Sequence, residues 1–287
     1  MGGRWSSLLV GGLIHALSLP VAAQGPAVIG LDHIPVAVRD LERAGATYRA
    51  LGFALKPGRE HSNGIRNVHV KFHDGAGIEL LTAPEAIDAL SAHYMEQLRA
   101  GEGPASVSFH ARDTDRLHTR LREGGYEFRQ DGEITDLQAS ELAYVFVVRD
   151  NRSPTDRPEH LAHPNGASAL SAVWVATENG DALARFLVQL GGRQERRRVF
   201  APGPVEATVV ILAEGEVLIL PERHQILAGR PVIGATFRVP DLTRVQRALA
   251  RARIKPWAGP SAVPAHAGER VVVEPRDAHG LWLEFRP

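Results

Sequence analysis

The sequence predicts an α+β fold of four strand–helix–strand–strand–strand modules, paired two and two. Three observations predict it. One order of hydrophobic periods recurs four times along the 287 residues. Each helical period opens at an aspartate, and three of the four close on glycine. The turn-rich His163-Pro164-Asn165-Gly166 falls between the second and third repeats. A unit of 50 to 60 residues (about the size of a repeat) cannot bury both faces of its own sheet, so the units pair.

In the first unit Leu31 to Val38 reads as a strand, and Asp40 caps a helix running to about Leu51. Gly52 stops it, since glycine takes the left-handed cap conformation without strain. Strands follow at Phe53 to Lys56, Val68 to Phe72 and Ile78 to Leu81, with a turn at Asp74-Gly75. The second unit runs from Ser106 to Ala111 through a helix at Asp113 to Glu123, with strands near Tyr126 and at Tyr144 to Val148. The third has Val173 to Thr177, a helix at Asp181 to Leu190, then Thr208 to Leu212 and Val217 to Leu220. The fourth has Ile233 to Val239, a helix at Asp241 to Arg251, and strands near Ile254, at Val271 to Val273 and at Leu281 to Phe285.

Residues 1–23 stand apart. Arg4 precedes the mostly apolar run Leu8 to Val21, and Val21-Ala22-Ala23 offers small residues before Gln24, the pattern of a cleaved secretory signal peptide. The expected organisation is a signal peptide at 1–23, one domain at 29–165 and a second at 167–287. The mature protein is expected to be exported, periplasmic or extracellular, without a membrane anchor once the signal is cleaved, and a monomer or homodimer. Lys plus Arg and Asp plus Glu are both 33, for a formal net charge of zero, which argues against nucleic acid as a partner. The chain has no cysteine, so disulfides, thiolate nucleophiles and Cys-bound metals are excluded.

The run Leu31-Asp32-His33-Ile34-Pro35-Val36-Ala37-Val38-Arg39-Asp40-Leu41, with Tyr48 and Leu51-Gly52-Phe53 behind it, resembles the opening module of the vicinal oxygen chelate superfamily. That superfamily includes glyoxalase I, extradiol dioxygenases and bleomycin-binding proteins. Asp277 to Phe285 resembles the last strand of such a module. Pro57-Gly58 to Asn67, followed by Gly77 to Leu81, resembles the glyoxalase-like branch. The resemblance implies βαβββ modules paired into two cup-shaped mixed sheets with helices outside, the glyoxalase/dihydroxybiphenyl dioxygenase-like fold. The superfamily hosts unrelated chemistries and some pure binders, so it specifies fold more than reaction.

Strand alternation indicates what faces the cup. His33, Pro35 and Ala37 share one face of the first strand, opposite Ile34, Val36 and Val38. Asn67, His69, Lys71 and His73 form a polar row opposite Val68, Val70 and Phe72. Lys71 has the alternative of projecting to solvent. In metal-dependent members of the family resembled, a module's first strand supplies a His and its last a Glu, here His33 and Glu79. The implied cofactor is one divalent ion (Fe, Mn, Ni or Zn), for which two His and a carboxylate leave open positions.

The second unit departs from that pattern. Ser106 falls opposite His33, and the expected last strand gives way to an irregular stretch, Arg149 to Gly166. His110, or His160 or Glu159 of that stretch, is then left to complete the ligand set. Arg66, His61, Asn67, His69 and Glu159 are candidate substrate contacts, and His163 is a turn or interface residue. In the second pair Ala172 and Gly234 fall opposite His33, so that half is expected to be structural.

Two functions follow. One is an enzyme of lyase, isomerase or dioxygenase type, with a metal gripping a small substrate through vicinal oxygens and Glu79 as candidate base. The other is a metal-free binding or sequestering protein of the bleomycin-resistance type.

Overall fold

A computed structural model of the chain describes residues 25–149, 152–259 and 269–287; the signal-peptide reading at 1–23 lies outside them. The first module contains β1 (Gly30–Leu31), β2 (His33–Ala37), α1 (Leu41–Ala50), β3 (Lys56–Pro57), β4 (Arg66–Lys71) and β5 (Gly77–Thr82). The Asp40 side chain accepts from the Arg43 amide at the start of α1, and Gly52 has φ +85° beyond its end. The strand expected at Phe53 to Lys56 is reduced to β3, because Phe53 turns into the core among Tyr48, Phe237 and Phe285. A helix not anticipated from the sequence, α2 (Ala89–Ala100), then precedes the second module.

That module contains β6 (Gly103–Pro104), β7 (Val107–His110), α3 (Thr114–Glu123), β8 (Phe128–Asp131), β9 (Ile134–Leu137) and β10 (Val145–Val148). Its last strand is present, which corrects the irregular-stretch reading. β10 lies parallel to β7, as β5 lies parallel to β2. The period was misassigned because β8 is largely exposed and the β8–β9 hairpin carries no apolar alternation.

The two modules form two five-stranded sheets of matching order, β3-β4-β5-β2-β6 and β8-β9-β10-β7-β1. Each has the opening residues of the other module as its edge strand. The run read as one strand from Leu31 to Val38 therefore breaks at Asp32: Gly30 and Leu31 pair with β7, and His33 onward with β5.

The connection from the second module carries α4 (Pro158–Leu161) and is pinned to the first sheet. His163 Nδ1 accepts from the Ala54 amide at 3.0 Å, its Nε2 donates to Lys71 O at 3.0 Å, and Asn165 Nδ2 donates to Leu51 O at 3.0 Å.

The rest of the chain forms β11 (Ala169–Ala176), α5 (Gly180–Gln189), β12 (Arg193–Phe200), β13 (Pro204–Ile211), β14 (Glu216–Leu220), β15 (Val232–Arg238), α6 (Leu242–Ala252), β16 (Val271–Val273) and β17 (Trp282–Arg286). Here the modules merge into one seven-stranded sheet through the antiparallel β11–β15 pair. The strand expected near Ile254 is absent from the residues described there. Trp174 is fully buried against Gly234, where a Cβ would lie 2.4 Å from its ring, and its Nε1 donates to Thr236 Oγ1 at 2.9 Å. In the third module this face is apolar, Trp174 packing with Ala172, Ala176, Leu218 and Leu220. Among the described residues no helix is long and apolar enough to cross a membrane.

Candidate binding site in the N-terminal cup

On the first sheet Ile34, Val36, Val70, Ile78 and Leu80 belong to the main core with Ala44 and Tyr48 of α1. The opposite face looks toward the second sheet. Ladder register arranges that face in cross-strand rows, neighbours in a row being about 5 Å apart. Lys56, His69, Glu79 and Pro35 make one row, and Lys71, Gly77 and His33 the next. Asn67, Leu81 and Ala37 make a third, over which α2 packs with Tyr94, Met95 and Leu98.

His33 is the centre of a connected polar chain. Its Nδ1 bonds the carboxylate of Asp32, which is buried, and its Nε2 lies 3.3 Å from Glu79 Oε2. Glu79 Oε1 accepts from Asn67 Nδ2, which also lies 3.3 Å from His61 Nε2. The side chains of His33 and Glu79 are 16% and 15% exposed, enough to be reached from the cup. Burial opposes charge on His33, but the field and hydrogen bond of Asp32, with Glu79 beside it, hold the imidazolium up to about 10. For Glu79, burial alone raises the carboxyl. The bond and charge of His33, then His69 and Asn67, outweigh burial and bring Glu79 to about 2. Burial, opposed by Glu79 and assisted by His33, Lys71 and Lys56, lowers His69 to about 4, so His69 is neutral. Tyr94 is raised by burial and by the charge of Glu79, and stays a phenol.

The structure brings together His33, Glu79, Asn67, His69 and His61 of the expected set, and not the others. Arg66 shares the outward parity of Val68 and Val70 and is exposed, so it does not face the cup. His110 is engaged elsewhere: its Nδ1 lies 3.4 Å from Leu31 O and its Nε2 3.4 Å from Glu214 Oε2 of the C-terminal half. His160 sits in α4 with Nδ1 accepting from the Arg157 amide at 3.3 Å, and Glu159 is exposed beside Arg157. Lys71 is buried and ion-paired with Asp156, not solvent-directed.

Register also gives the counterparts of the His–Glu pair. The row holding Glu79 and Pro35 corresponds to Phe146 and Ser108 in the second module, to Leu218 and Trp174 in the third, and to Glu284 and Thr236 in the fourth. Phe146 thus stands where a second-module carboxylate would, and its ring meets that of His33 edge-on at 5.5 Å. Glu284 is buried, accepts from Thr236 and pairs with Arg270, with no histidine opposite.

The donor set does not fit a resident divalent ion. Ligation takes an imidazole with a lone pair free to give, whereas both ring nitrogens of His33 already face carboxylates. The second module offers Ser106 and Phe146. Among the described residues no three His, Asp or Glu side chains are grouped to hold a metal.

Sequence reading missed Asp32, Tyr94 and Phe146. Asp88 followed three residues later by Ser91, a capping box, is the signal that would have placed α2 and with it Tyr94. Reading Val145 to Val148 as a module's last strand would have found Phe146.

No curated protein matches the sequence. Among solved structures, a hypothetical protein from Staphylococcus aureus superposes with a TM-score of 0.60 at 13% identity, covering 90% of this chain and 98% of that one. A variant of 4-hydroxymandelate synthase from Streptomyces coelicolor gives 0.64 at 14% identity, covering 91% and 92%. A variant of homoprotocatechuate 2,3-dioxygenase from B. fuscum gives 0.62 at 11%, covering 92% and 73%. At such identity these likenesses show the fold alone. The sequence itself matches the glyoxalase-like domain family over residues 31–191, more than half of its length. With the paired modules and the polar cup in place, the chain belongs to the glyoxalase-like domain family of the vicinal oxygen chelate superfamily.

Proposed function

We propose that the protein binds a small polar molecule in its N-terminal cup without a resident metal, in the manner expected of a sequestering or carrier member of its superfamily. The observation that carries this reading is the closed chain Asp32–His33–Glu79–Asn67, in which both His33 nitrogens and both Glu79 oxygens already have partners. A general base works best with a pKa near the operating pH. A carboxylate held at about 2 and an imidazolium at about 10 are instead fixed charges, suited to orienting a ligand's polar groups. Neutral His69 and phenolic Tyr94 add hydrogen-bonding groups beside them, and the Phe146 ring supplies an apolar wall.

Elemental analysis, with thermal unfolding in the presence of Mn(II), Fe(II), Ni(II) and Zn(II), tests this reading. The expected parent is metal-free, with a midpoint unmoved by any of the four ions. Stoichiometric metal in the parent, lost in both His33→Ala and Glu79→Ala, overturns the reading and restores the metal-dependent enzyme.

Export is also proposed, on the charged, apolar and small-residue succession of residues 1–23. Sequencing the N-terminus of protein recovered outside the cytoplasm checks it, with Gln24 expected first and Met1 contradicting it.

A further inference from the structure

Two lysines lie on the cup face beside the histidines. Lys56 stands across from His69, and Lys71 is two residues along the same strand face. Their side chains are only 10% and 4% exposed. Both meet Asp156, which arrives from the segment after β10: Lys56 Nζ bonds its Oδ1, and Lys71 Nζ lies 3.0 Å from its Oδ2. The Ser153 amide also donates to Oδ2 at 2.8 Å. One carboxylate therefore spans two buried ammonium groups. Burying like charges side by side is unfavourable unless an anion lies between them, so these positions are built around a negatively charged oxygen pair.

Their placement relative to the His–Glu pair is specific. One row reads Lys56, His69, Glu79 across three strands, and the next reads Lys71, Gly77, His33. Gly77, which has no side chain, stands between Lys71 and His33 in that row. Lys71 lies one strand from Glu79 and two from His33, and Lys56 two and three, so the ammonium groups sit about 5 to 15 Å along the sheet from the His–Glu pair.

We propose that Lys56 and Lys71 form an oxyanion subsite of the cup, which the Asp156 carboxylate fills as an internal stand-in and which a carboxylate or phosphate of the bound molecule takes over on binding. This rests on the cup being a small-molecule site and adds the ligand's class: an anionic compound whose uncharged polar end reaches His33 and Glu79. Asp156 sets the threshold, since an incoming oxyanion must displace a tethered carboxylate whose effective concentration is high.

The test is calorimetric titration of the full chain and of Asp156→Asn with malonate and with inorganic phosphate at low ionic strength. Asp156→Asn is expected to bind one of the two about tenfold or more tightly than the parent, because the competitor is gone and the positive charge remains. A preference for malonate identifies a carboxylate ligand, and a preference for phosphate a phosphorylated one; either supports the subsite. Adding Lys71→Met to Asp156→Asn is expected to return binding to the parent level. Lys56→Met in the same background serves where the first double variant fails to fold by circular dichroism. A variant that gains no affinity for either anion overturns the proposal, as does a gain that survives loss of a lysine. Asp156 is then a structural counter-ion. The anion titration contains no metal, and metal analysis of the parent does not involve the lysines, so each proposal fails by its own measurement.

Discussion

At the scale of single residues, the cup is a problem in charge placement. An imidazolium between two carboxylates is stable only while all three keep their charges, and the direction of each shift gives the pH window. His33 is raised from 6.5 to about 10, so its contribution is complete below about 6.5 and is lost as pH rises through about 10. Glu79 is lowered from 4.5 to about 2, so its contribution is present above about 4.5 and is lost as pH falls through about 2. The stability gap between the parent and His33→Gln in denaturant is therefore expected to be widest between pH 4.5 and 6.5 and to narrow toward pH 10. By NMR, the His33 ring signals should hold a constant cationic position from pH 5 to 8 (about the range a free histidine crosses), with His69 neutral throughout. A His33 midpoint near 6.5 contradicts the arrangement. His33 and Glu79 were legible in the sequence because strand parity puts them on one face. Asp32 was not, because its role depends on a break in the strand that hydrophobic alternation does not mark.

At the scale of elements, the sequence was most informative where local chemistry decides structure. Asp40, Asp113 and Asp241 each cap a helix through the side chain, and the helix ends at Gly52 and Gly124 fall where glycine punctuates the pattern. β12 went unread because Arg193 to Arg198 alternates no apolar residues. It is the edge of the seven-stranded sheet, and its Arg and Glu side chains pair laterally, a charged edge that discourages pairing with another chain. α2 has little apolar periodicity and depends on its start. There Asp88 accepts from the Ser91 amide at 2.8 Å, and Ser91 Oγ accepts from the Asp88 amide at 2.9 Å. Asp88→Ala is expected to lower stability by about 1 kcal/mol, read as a shift in the denaturant midpoint. A companion fall in Tyr94 protection from solvent is expected, since α2 carries that ring into the cup. An unchanged midpoint contradicts this account of the helix.

At the scale of the whole molecule, the halves are joined through the first residues of the fold. Ala27 and Val28 amides donate to Leu190 O, the Leu31 amide donates to Glu214 O at 3.1 Å, and the Glu214 amide donates to Ile29 O at 2.9 Å. Gly30 bridges the Glu214 backbone, and a Cβ there would lie 2.3 Å from the Glu214 carbonyl oxygen. Gly30→Ala must push that backbone away. It is expected to cost about 1 to 3 kcal/mol, the usual range for overpacking, and to lower the midpoint of a single unfolding transition followed by near-UV dichroism. Two separated transitions, with the C-terminal one unchanged, contradict the coupling. Repeats and their pairing were visible in the one-dimensional pattern because each unit repeats its own short-range signals. Which module lends a strand to which sheet is set by long-range register and left no local trace.

The reciprocal loan of β1 and β6 fixes a consequence for the duplication that a four-unit chain implies. A lone ancestral unit of this design has a vacant edge and a spare leading segment at once, so two copies satisfy each other and one copy satisfies neither need. In the present chain the two walls are free to differ, and Phe146 in the second sheet stands at the register position that Glu79 holds in the first.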